Sequence, residues 1–444
     1  MGSNESRFVK RQWPKALRIL LLLGILFPLS SSSETLTDPC GILKKHFAAV
    51  GGIERLEAEK TLYFEGKIRL LGMDLEGTIK QWDKPPICRR QELDLRVFRQ
   101  TDGRNEETSW ILDANGKAQL RRDEATIKRR RVEELLERRE YLDPVSPHLR
   151  VALEGRQKVA GRESYVIKIS NTINEDILLQ FIDAESFLLN QSIRKEPDSE
   201  SRTVFLEYRD VAGIMRPYRL EIENLPLKQR FVIEVSKYES NVAVDPSLFD
   251  PPAGDVRDFA FLKGGSVEDI PFEFVGNHIF LPVTINGREK LWCLDTGAQM
   301  TAIDTRFALE LGLKPEGKMR GSGAGRTVDV SFVKLPEYGV RGLRFQSQQA
   351  VCLEIGELFR RMYGMDVAGA LGYDFLSRLV TKVDYARRKI SFFHPDDFAY
   401  DGEGRVVEAP LVEGTFSVPI TVDERYSGRW SLDLGAGGCS VSDG

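Results

Sequence analysis

Two aspartates in this 444-residue chain each follow an apolar segment and precede a glycine-containing turn. They are Asp295 in Leu291-Trp-Cys-Leu-Asp-Thr-Gly-Ala and Asp433 in Arg429-Trp-Ser-Leu-Asp-Leu-Gly-Ala. Two carboxylates about 3 Å apart cannot both ionise comfortably, so they share a proton. The ionised member then acts as a general base on water, and the protonated member acts as a general acid on a carbonyl. This chemistry needs neither a metal ion nor a covalent intermediate.

The elements that hold these aspartates are predicted to be β-hairpins. Residues 280–290 are typical of a strand followed by an Asn-Gly turn, and residues 291–294 form the return strand. Residues 416–432 repeat the pattern with one extra residue in the turn, which indicates an internal repeat. The carboxylates are thus expected on rigid strands, and Gly297 allows close approach of a substrate or a second copy of the chain.

Residues 291–298 and a second motif, Gly369-Ala-Leu-Gly-Tyr-Asp-Phe-Leu, together resemble the two motifs of a retropepsin-like aspartic peptidase lobe. The resemblance implies a β-barrel lobe over residues 271–400 that hydrolyses an extended peptide or protein without a cofactor. It assigns a catalytic role to the aspartates, support of the active site to Thr296, Gly297 and Gly372, and a substrate-covering flap to Gly321, Gly323 and Gly325.

Three alternatives to this interpretation stay open. Asp-Thr-Gly is also a common turn sequence. The glycine-rich segment 317–329 could cradle a phosphate, although no lysine followed by serine or threonine supports that. The partner of Asp295 is either Asp433 or the Asp295 of a second chain in a homodimer, and Leu434 departs from the family pattern because it replaces a hydroxyl residue.

Residues 405–444 are predicted to begin a second peptidase-like lobe. The sequence stops before a second flap and a second Gly-Asp motif, so we expect a fragment of a longer protein, with a vestigial repeat as the alternative.

The N-terminal 33 residues have the pattern of a signal peptide. Five basic residues precede an apolar core from Ile19 to Leu29, and serines follow. The apolar core is shorter than the about 20 residues of a comfortable membrane span. We therefore expect export to the periplasm or cell envelope, with an uncleaved anchor as the alternative.

Residues 41–252 are predicted to form an α+β half-barrel. A helix over Ile42–Glu59, interrupted at Gly51-Gly52, is followed by strands of period two, and a charge-dense solvated helix is expected over 117–141. Residues 159–165, 208–217 and 241–249 resemble pieces of LolA-like outer-membrane lipoprotein carriers. That resemblance implies a curved antiparallel sheet whose concave face holds a lipid or lipoprotein, or is filled by its own side chains. Residues 253–270 are predicted to be a linker.

Composition excludes several classes of function. The chain is 41% hydrophobic and 29% charged with a formal charge of −4, typical of a globular protein. No basic cluster is interleaved with aromatic residues, which argues against nucleic acid as a partner. The four histidines and five cysteines form no motif for a metal site, and Cys293 is expected in the core. An aspartic endopeptidase is the predicted function, with an inactive lipid- or lipoprotein-binding envelope protein as the alternative.

Overall fold

The computed structural model describes residues 36–73, 75–197, 199–225, 227–254, 256–323, 326–412 and 414–439. The predicted signal peptide lies outside these residues. Two large sheets of 13 and 11 strands dominate the chain, so the predicted mainly β fold class is confirmed. None of the helices in the described ranges is long and apolar enough to cross a membrane.

The first large sheet is a curved antiparallel half-barrel. Its strands are β1 (Leu62–Leu70), β2 (Leu75–Lys84), β3 (Cys88–Asp94), β4 (Arg99–Arg104), β5 (Ser109–Leu112), β6 (Ala118–Arg121), β7 (Leu149–Val159), β8 (Arg162–Asn171), β9 (Ile177–Asp183), β10 (Leu189–Glu196), β11 (Ser199–Val211), β12 (Ile214–Leu225) and β13 (Gln229–Ser240).

The order of these strands follows from a single long-range pairing. β1 pairs with β13, so two arms extend from this seam, β2 to β6 on one side and β12 back to β7 on the other. Period-two patterning gives the sheet one apolar face: in β1, Ile68 and Leu70 are buried while Lys67 and Arg69 are exposed.

The helices of the half-barrel are α1 (Pro39–Val50), α2 (Ile53–Ala58) and α3 (Glu124–Glu137). The predicted interruption at Gly51-Gly52 is confirmed. Gly51 has φ +133°, and a Cβ there would overlap the backbone of Gly213. The predicted helix over 117–141 is too long, because β6 occupies its beginning and Asp123 caps α3 by accepting a hydrogen bond from Thr126 N.

Helix α3 bridges the two arms of the half-barrel. Its Glu133 accepts hydrogen bonds from Arg104 on β4 and Arg194 on β10, while Val132 and Leu135 are buried. The expected exposed pairs also form, between Lys128 and Glu124 and elsewhere along the helix. Part of the half-barrel sheet is thus covered by the protein's own charged helix.

The second large sheet and two small sheets follow. The strands are β14 (Phe259–Phe261), β15 (Ser266–Pro271), β16 (Glu273–Val275), β17 (His278–Ile285), β18 (Arg288–Leu294), β19 (Ala302–Asp304), β20 (Glu316–Gly323), β21 (Arg326–Leu335), β22 (Tyr338–Val340), β23 (Leu343–Phe345), β24 (Gln348–Leu353), β25 (Val367–Leu371), β26 (Val380–Asp384), β27 (Lys389–Phe393), β28 (Leu411–Val412), β29 (Thr415–Val422) and β30 (Tyr426–Leu432). The helices are α4 (Thr305–Glu310), α5 (Ile355–Tyr363) and α6 (Tyr373–Leu376).

Strands β14 to β27 enclose a large apolar core, which includes the fully buried Leu281, Trp292 and Phe375. A smaller cluster around Phe280, Cys293 and Phe359 is also buried. The expected closing strands are present as β26 and β27. The segment 253–270 differs from the linker expected there, because β14 pairs with β23 and β15 pairs with β27. Phe259 and Phe261 pack against the core, and this apolar burial draws the segment into the lobe.

Candidate active site

Asp295 lies at the end of a buried strand. β17 and β18 form a hairpin around the turn Asn286-Gly287, and Trp292, Cys293 and Leu294 are almost fully buried. The Asp295 amide donates to the Leu371 carbonyl at 3.0 Å, where β25 runs parallel to β18. Cys293 is a core residue, as expected, and burial raises the pKa of its thiol.

Asp433 occupies the corresponding position on a second hairpin. β29 and β30 pair from Phe416–Leu432 to Val422–Tyr426, with residues 423–425 in the turn. The first hairpin closes from Ile285 to Arg288, so its turn is one residue shorter. Each aspartate therefore follows the last residue of a return strand.

The two aspartate loops pack against each other reciprocally. A Cβ added at Gly297 would lie 2.6 Å from the Asp433 carboxyl carbon, and one added at Gly435 would overlap the Asp295 carboxyl. The two carboxyl groups are close enough that the charge of Asp433 acts on the titration of Asp295. Glycine is required at both positions because any side chain would displace the opposite carboxyl group.

The electrostatic environment favours one proton on this pair. Burial and the charge of Asp433 raise the pKa of Asp295 to about 6. Backbone amides of Gly297 and Ala298 donate to Asp295 Oδ1 at 2.8 and 3.1 Å and oppose this shift. Asp433 Oδ1 accepts from the Gly435 amide at 2.8 Å. The arrangement can therefore provide one acid and one base at mildly acidic pH.

Thr296 joins the two loops beneath the carboxyl groups. Its hydroxyl donates to the Leu432 carbonyl at 2.7 Å and accepts from the Leu434 amide at 2.9 Å. Leu434 makes no equivalent bond with its side chain, and instead packs against the apolar core of the lobe. The connection is therefore made by one hydroxyl rather than two.

Gly372 lies beside the first aspartate loop, at the end of β25. Its amide donates to the Thr301 hydroxyl at 3.2 Å, and a Cβ there would lie 2.6 Å from the backbone carbon of Met300. The adjacent Tyr373 amide donates to the Ala298 carbonyl at 2.7 Å. Gly372 thus permits two backbone segments to touch below Asp295.

The glycine-rich segment forms an antiparallel hairpin, β20–β21, rather than a strand-to-helix phosphate loop. Gly321 and Gly323 lie on β20, whereas Gly325 lies outside the described residues. The surroundings of Gly321 leave room for a side chain, since a Cβ there would lie 3.5 Å from the Val330 side chain, an ordinary van der Waals distance. The glycine that geometry requires is Gly317, with φ +66° and the Leu75 side chain 2.6 Å from a Cβ.

His278 and Asn277 are site residues that sequence reasoning missed. The buried His278 ring lies 2.7 Å from the Gly276 carbonyl through Nδ1 and 3.0 Å from the Gly435 carbonyl through Nε2. Asn277 Nδ2 donates to the Gly437 carbonyl at 3.0 Å. They attach the second aspartate loop to the first lobe, and no local motif marks such a long-range contact.

No group of three or more histidine, cysteine or acidic side chains able to hold a metal ion is found among the described residues.

Comparison with known proteins finds different similarities for the C-terminal lobe and for the half-barrel. Residues 281–375 match the aspartyl protease family model Asp_protease_2, which confirms the predicted likeness of this region. A retropepsin-like aspartic protease from Rickettsia conorii is 16% identical, with 29% of this chain and 91% of that chain covered and a TM-score of 0.21. No curated protein matches the chain.

Other structures are similar to the half-barrel. A DUF1329 family protein from Desulfovibrio piger is 14% identical over 48% of this chain and 98% of its own, with a TM-score of 0.34. A LolA superfamily protein from Nitrosomonas europaea is 12% identical over 48% of this chain and 98% of its own, with a TM-score of 0.33.

Proposed function

We propose that the chain is an exported aspartic endopeptidase that uses Asp295 and Asp433 of the same chain. The observation that carries the proposal is the reciprocal packing of the two aspartate loops, in which Gly297 lies against the Asp433 carboxyl group and Gly435 lies against the Asp295 carboxyl group. An intrachain pair is favoured over the homodimer because the Asp433 loop packs directly against the Asp295 loop of the same chain.

The proposed mechanism follows from the different surroundings of the two carboxyl groups. Asp295, with its raised pKa of about 6, holds the shared proton and donates it to the carbonyl oxygen of the scissile peptide. Asp433, the other member of the pair, takes a proton from the attacking water. The β20–β21 hairpin, with Gly321, Gly323 and Gly325, is proposed to cover an extended peptide substrate.

The same proposal includes the organisation of the chain. Residues 1–33 are a signal peptide, 41–252 the half-barrel, 271–400 the first peptidase lobe and 405–444 the start of a second. Support for the repeat comes from the matching registers of the two hairpins and the position of each aspartate after its return strand.

A lipid- or lipoprotein-binding envelope protein with an inactive lobe is the second candidate. It is favoured by the apolar face of the half-barrel, where partly buried Phe64, Leu220 and Phe231 surround buried Ile68 and Ile233. The replacement of a hydroxyl residue by Leu434 also weakens the support of the second aspartate.

Peptide hydrolysis by matched variants tests the proposal. We expect Asp295→Asn and Asp433→Asn each to lower kcat/KM by about 10²- to 10⁴-fold, because each removes one member of the acid–base pair. Asp401→Asn, at an exposed position, is the control and should match the unsubstituted chain. The rate is expected to fall as the pH rises through about 6, where Asp295 loses its proton.

Two results would contradict the proposal in different ways. Near-normal hydrolysis by Asp433→Asn would favour an Asp295 homodimer. No hydrolysis by the unsubstituted chain between pH 3 and 7 would leave the lipid-binding candidate.

A further inference from the structure

The loop between β5 and β6 of the half-barrel enters the base of the candidate peptidase lobe. Asp113 Oδ1 accepts from the amides of Asn115 and Lys117, each at 2.9 Å, which fixes the loop in one conformation. Lys117 Nζ in turn donates to the Ser377 carbonyl beyond α6. The described residues from Asp38 onward belong to one compact unit, so this contact is part of its interior.

Asn115 completes the hydrogen bonding of a strand in the lobe. Its Oδ1 accepts from the Gln349 amide at 2.7 Å, and its Nδ2 donates to the Gln349 carbonyl at 3.3 Å. Gln349 lies on β24 just before Val351, where the pairing with β19 begins. The side-chain amide of Asn115 therefore makes the two hydrogen bonds to the Gln349 backbone that a neighbouring strand would otherwise make.

The same amide contacts a carboxyl group behind the candidate active site. Asn115 Nδ2 donates to Asp374 Oδ2 at 3.3 Å, and Asp374 is fully buried. Asp374 Oδ1 accepts from both the amide and the hydroxyl of Thr301, at 2.8 and 2.7 Å. The Thr301 hydroxyl also accepts from the Gly372 amide at 3.2 Å.

From Asp374 the contacts continue to the first catalytic candidate. The neighbouring Tyr373 amide donates to the Ala298 carbonyl at 2.7 Å. The Ala298 amide donates to Asp295 Oδ1 at 3.1 Å. A hydrogen-bonded chain thus joins a loop of the half-barrel to the carboxyl group of Asp295.

A buried charge cluster fixes the loop in place. Arg378, with 1% of its side chain exposed, donates to Asp113 at 2.7 Å and to Asp258 at 2.9 Å. It also donates to the Asp374 carbonyl at 2.5 Å. A buried guanidinium group requires carboxylate partners, and Arg378 takes one of them from the loop, Asp113. This ion pair therefore holds the loop against the lobe.

We propose that residues 113–117 are a positioning element of the candidate active site, and that Asn115 is the positioning residue that fixes the Gly372–Asp374 segment beneath the aspartate pair. The proposal rests on the proposed function for its kinetic consequence. It gives the half-barrel an indirect, positioning part in catalysis, whatever ligand that domain binds.

Two substitutions of Asn115 in the full chain test the proposal by different effects. Asn115→Ala removes the side-chain amide. We expect kcat to fall about 10- to 100-fold and KM to change less than threefold, because small displacements of catalytic groups have effects of this size on kcat. Asn115→Asp places a second carboxyl group beside Asp374. The ratio of kcat for Asn115→Asp to kcat for Asn115→Ala should be lowest near pH 7. It should rise towards pH 5, because protonation of one carboxyl group relieves the repulsion between position 115 and Asp374.

Hydrogen exchange provides a readout that does not need activity. In Asn115→Ala, amides in segments 298–303 and 370–376 should exchange at least about tenfold faster than in the unsubstituted chain. The matched control is Asn224→Ala, a half-barrel asparagine whose side chain accepts from Ser201. It should leave both segments unchanged.

The outcomes separate the two proposals. Unchanged exchange in both segments, or a kcat for Asn115→Ala within twofold of the unsubstituted value, would overturn the positioning role. Equal loss by Asn115→Asp at all pH values would also overturn it, because a purely structural defect has no reason to recover on acidification. If the unsubstituted chain hydrolyses no peptide but exchange accelerates as expected, the proposed function fails and the positioning role stands.

Discussion

At the scale of single residues, glycine and threonine determine how the aspartates meet. Gly297 and Gly435 leave the space that the opposite carboxyl groups fill. Thr296 supplies the hydroxyl that joins the loops, through Leu432 and Leu434. The asymmetry at Leu434 leaves the second loop dependent on other contacts, among them the His278 ring against the Gly435 carbonyl.

The raised pKa of Asp295 has a consequence for stability. The folded state binds this proton more tightly than the unfolded state does, with a pKa of about 6 against an ordinary value of 3.8. The resulting stabilisation is complete below about pH 4 and is lost as the pH rises through about 6.

Asp295→Asn removes this titration. The free energy of unfolding of the variant should exceed that of the unsubstituted chain by about 1–3 kcal/mol at pH 7, with the difference shrinking towards pH 4. Urea unfolding at both pH values measures it. An Asn variant that is less stable at pH 7 would show that the carboxylate is stabilised, not penalised, by its surroundings.

At the scale of elements, the β20–β21 hairpin is anchored to the half-barrel at several positions along its length. Gln229 Nε2 donates to the Arg320 carbonyl at 2.7 Å, and the rings of Phe98 and Phe332 lie 5.2 Å apart. Leu75 contacts Gly317. Leu75 and Gln229 begin strands β2 and β13, and Phe98 immediately precedes β4, so strand starts of the half-barrel hold the flap candidate.

Gln229→Ala should loosen this anchor. Loss of one partly buried hydrogen bond costs about 1 kcal/mol, a factor of about 5 in the population of the anchored hairpin. Exchange of amides in 326–335 should accelerate by about that factor, and KM for peptide should rise. Gln157→Ala, an exposed glutamine on β7, is the control. Equal exchange in the two variants would show that the anchor is unimportant.

At the scale of the whole molecule, the half-barrel and the peptidase-like lobe are joined by polar contacts as well as apolar ones. Arg378 pairs with Asp113 from the half-barrel and with Asp258 from the segment that leads into the lobe. Removing one acid would leave a buried charge incompletely paired, a change that typically costs about 3–5 kcal/mol. The two parts are thus expected to unfold together.

Export is the prediction that concerns the whole chain. If residues 1–33 are a cleaved signal peptide, mass spectrometry of envelope-fraction protein should find an N-terminus near Ser33 or Glu34. Substituting Leu21 and Leu22 by Asp should retain the protein in the cytoplasm, since the apolar core is interrupted. An intact Met1 on membrane-bound protein would indicate an anchor instead.

The sequence by itself determined the local features of this protein. Period-two patterning predicts the strands of both sheets, the Asn286-Gly287 turn predicts the first hairpin, and Gly51-Gly52 predicts the break between two helices. The resemblance of residues 291–298 to aspartic peptidases identified the candidate at 295, and the internal repeat identified the candidate at 433. These features depend on backbone preferences and side-chain alternation over short segments, which neighbouring residues largely fix.

Only the tertiary structure decided which distant groups support the candidate site. Asn115 and Asp374 are 259 positions apart in the chain, and His278 meets Gly435 across 157 positions. Tertiary structure also placed strands β14 and β15, which include residues 259–261 and 266–270 of the expected linker 253–270, in sheets of the lobe. Such contacts depend on how the sheets pack and which buried polar groups then need partners, and no local pattern encodes that requirement.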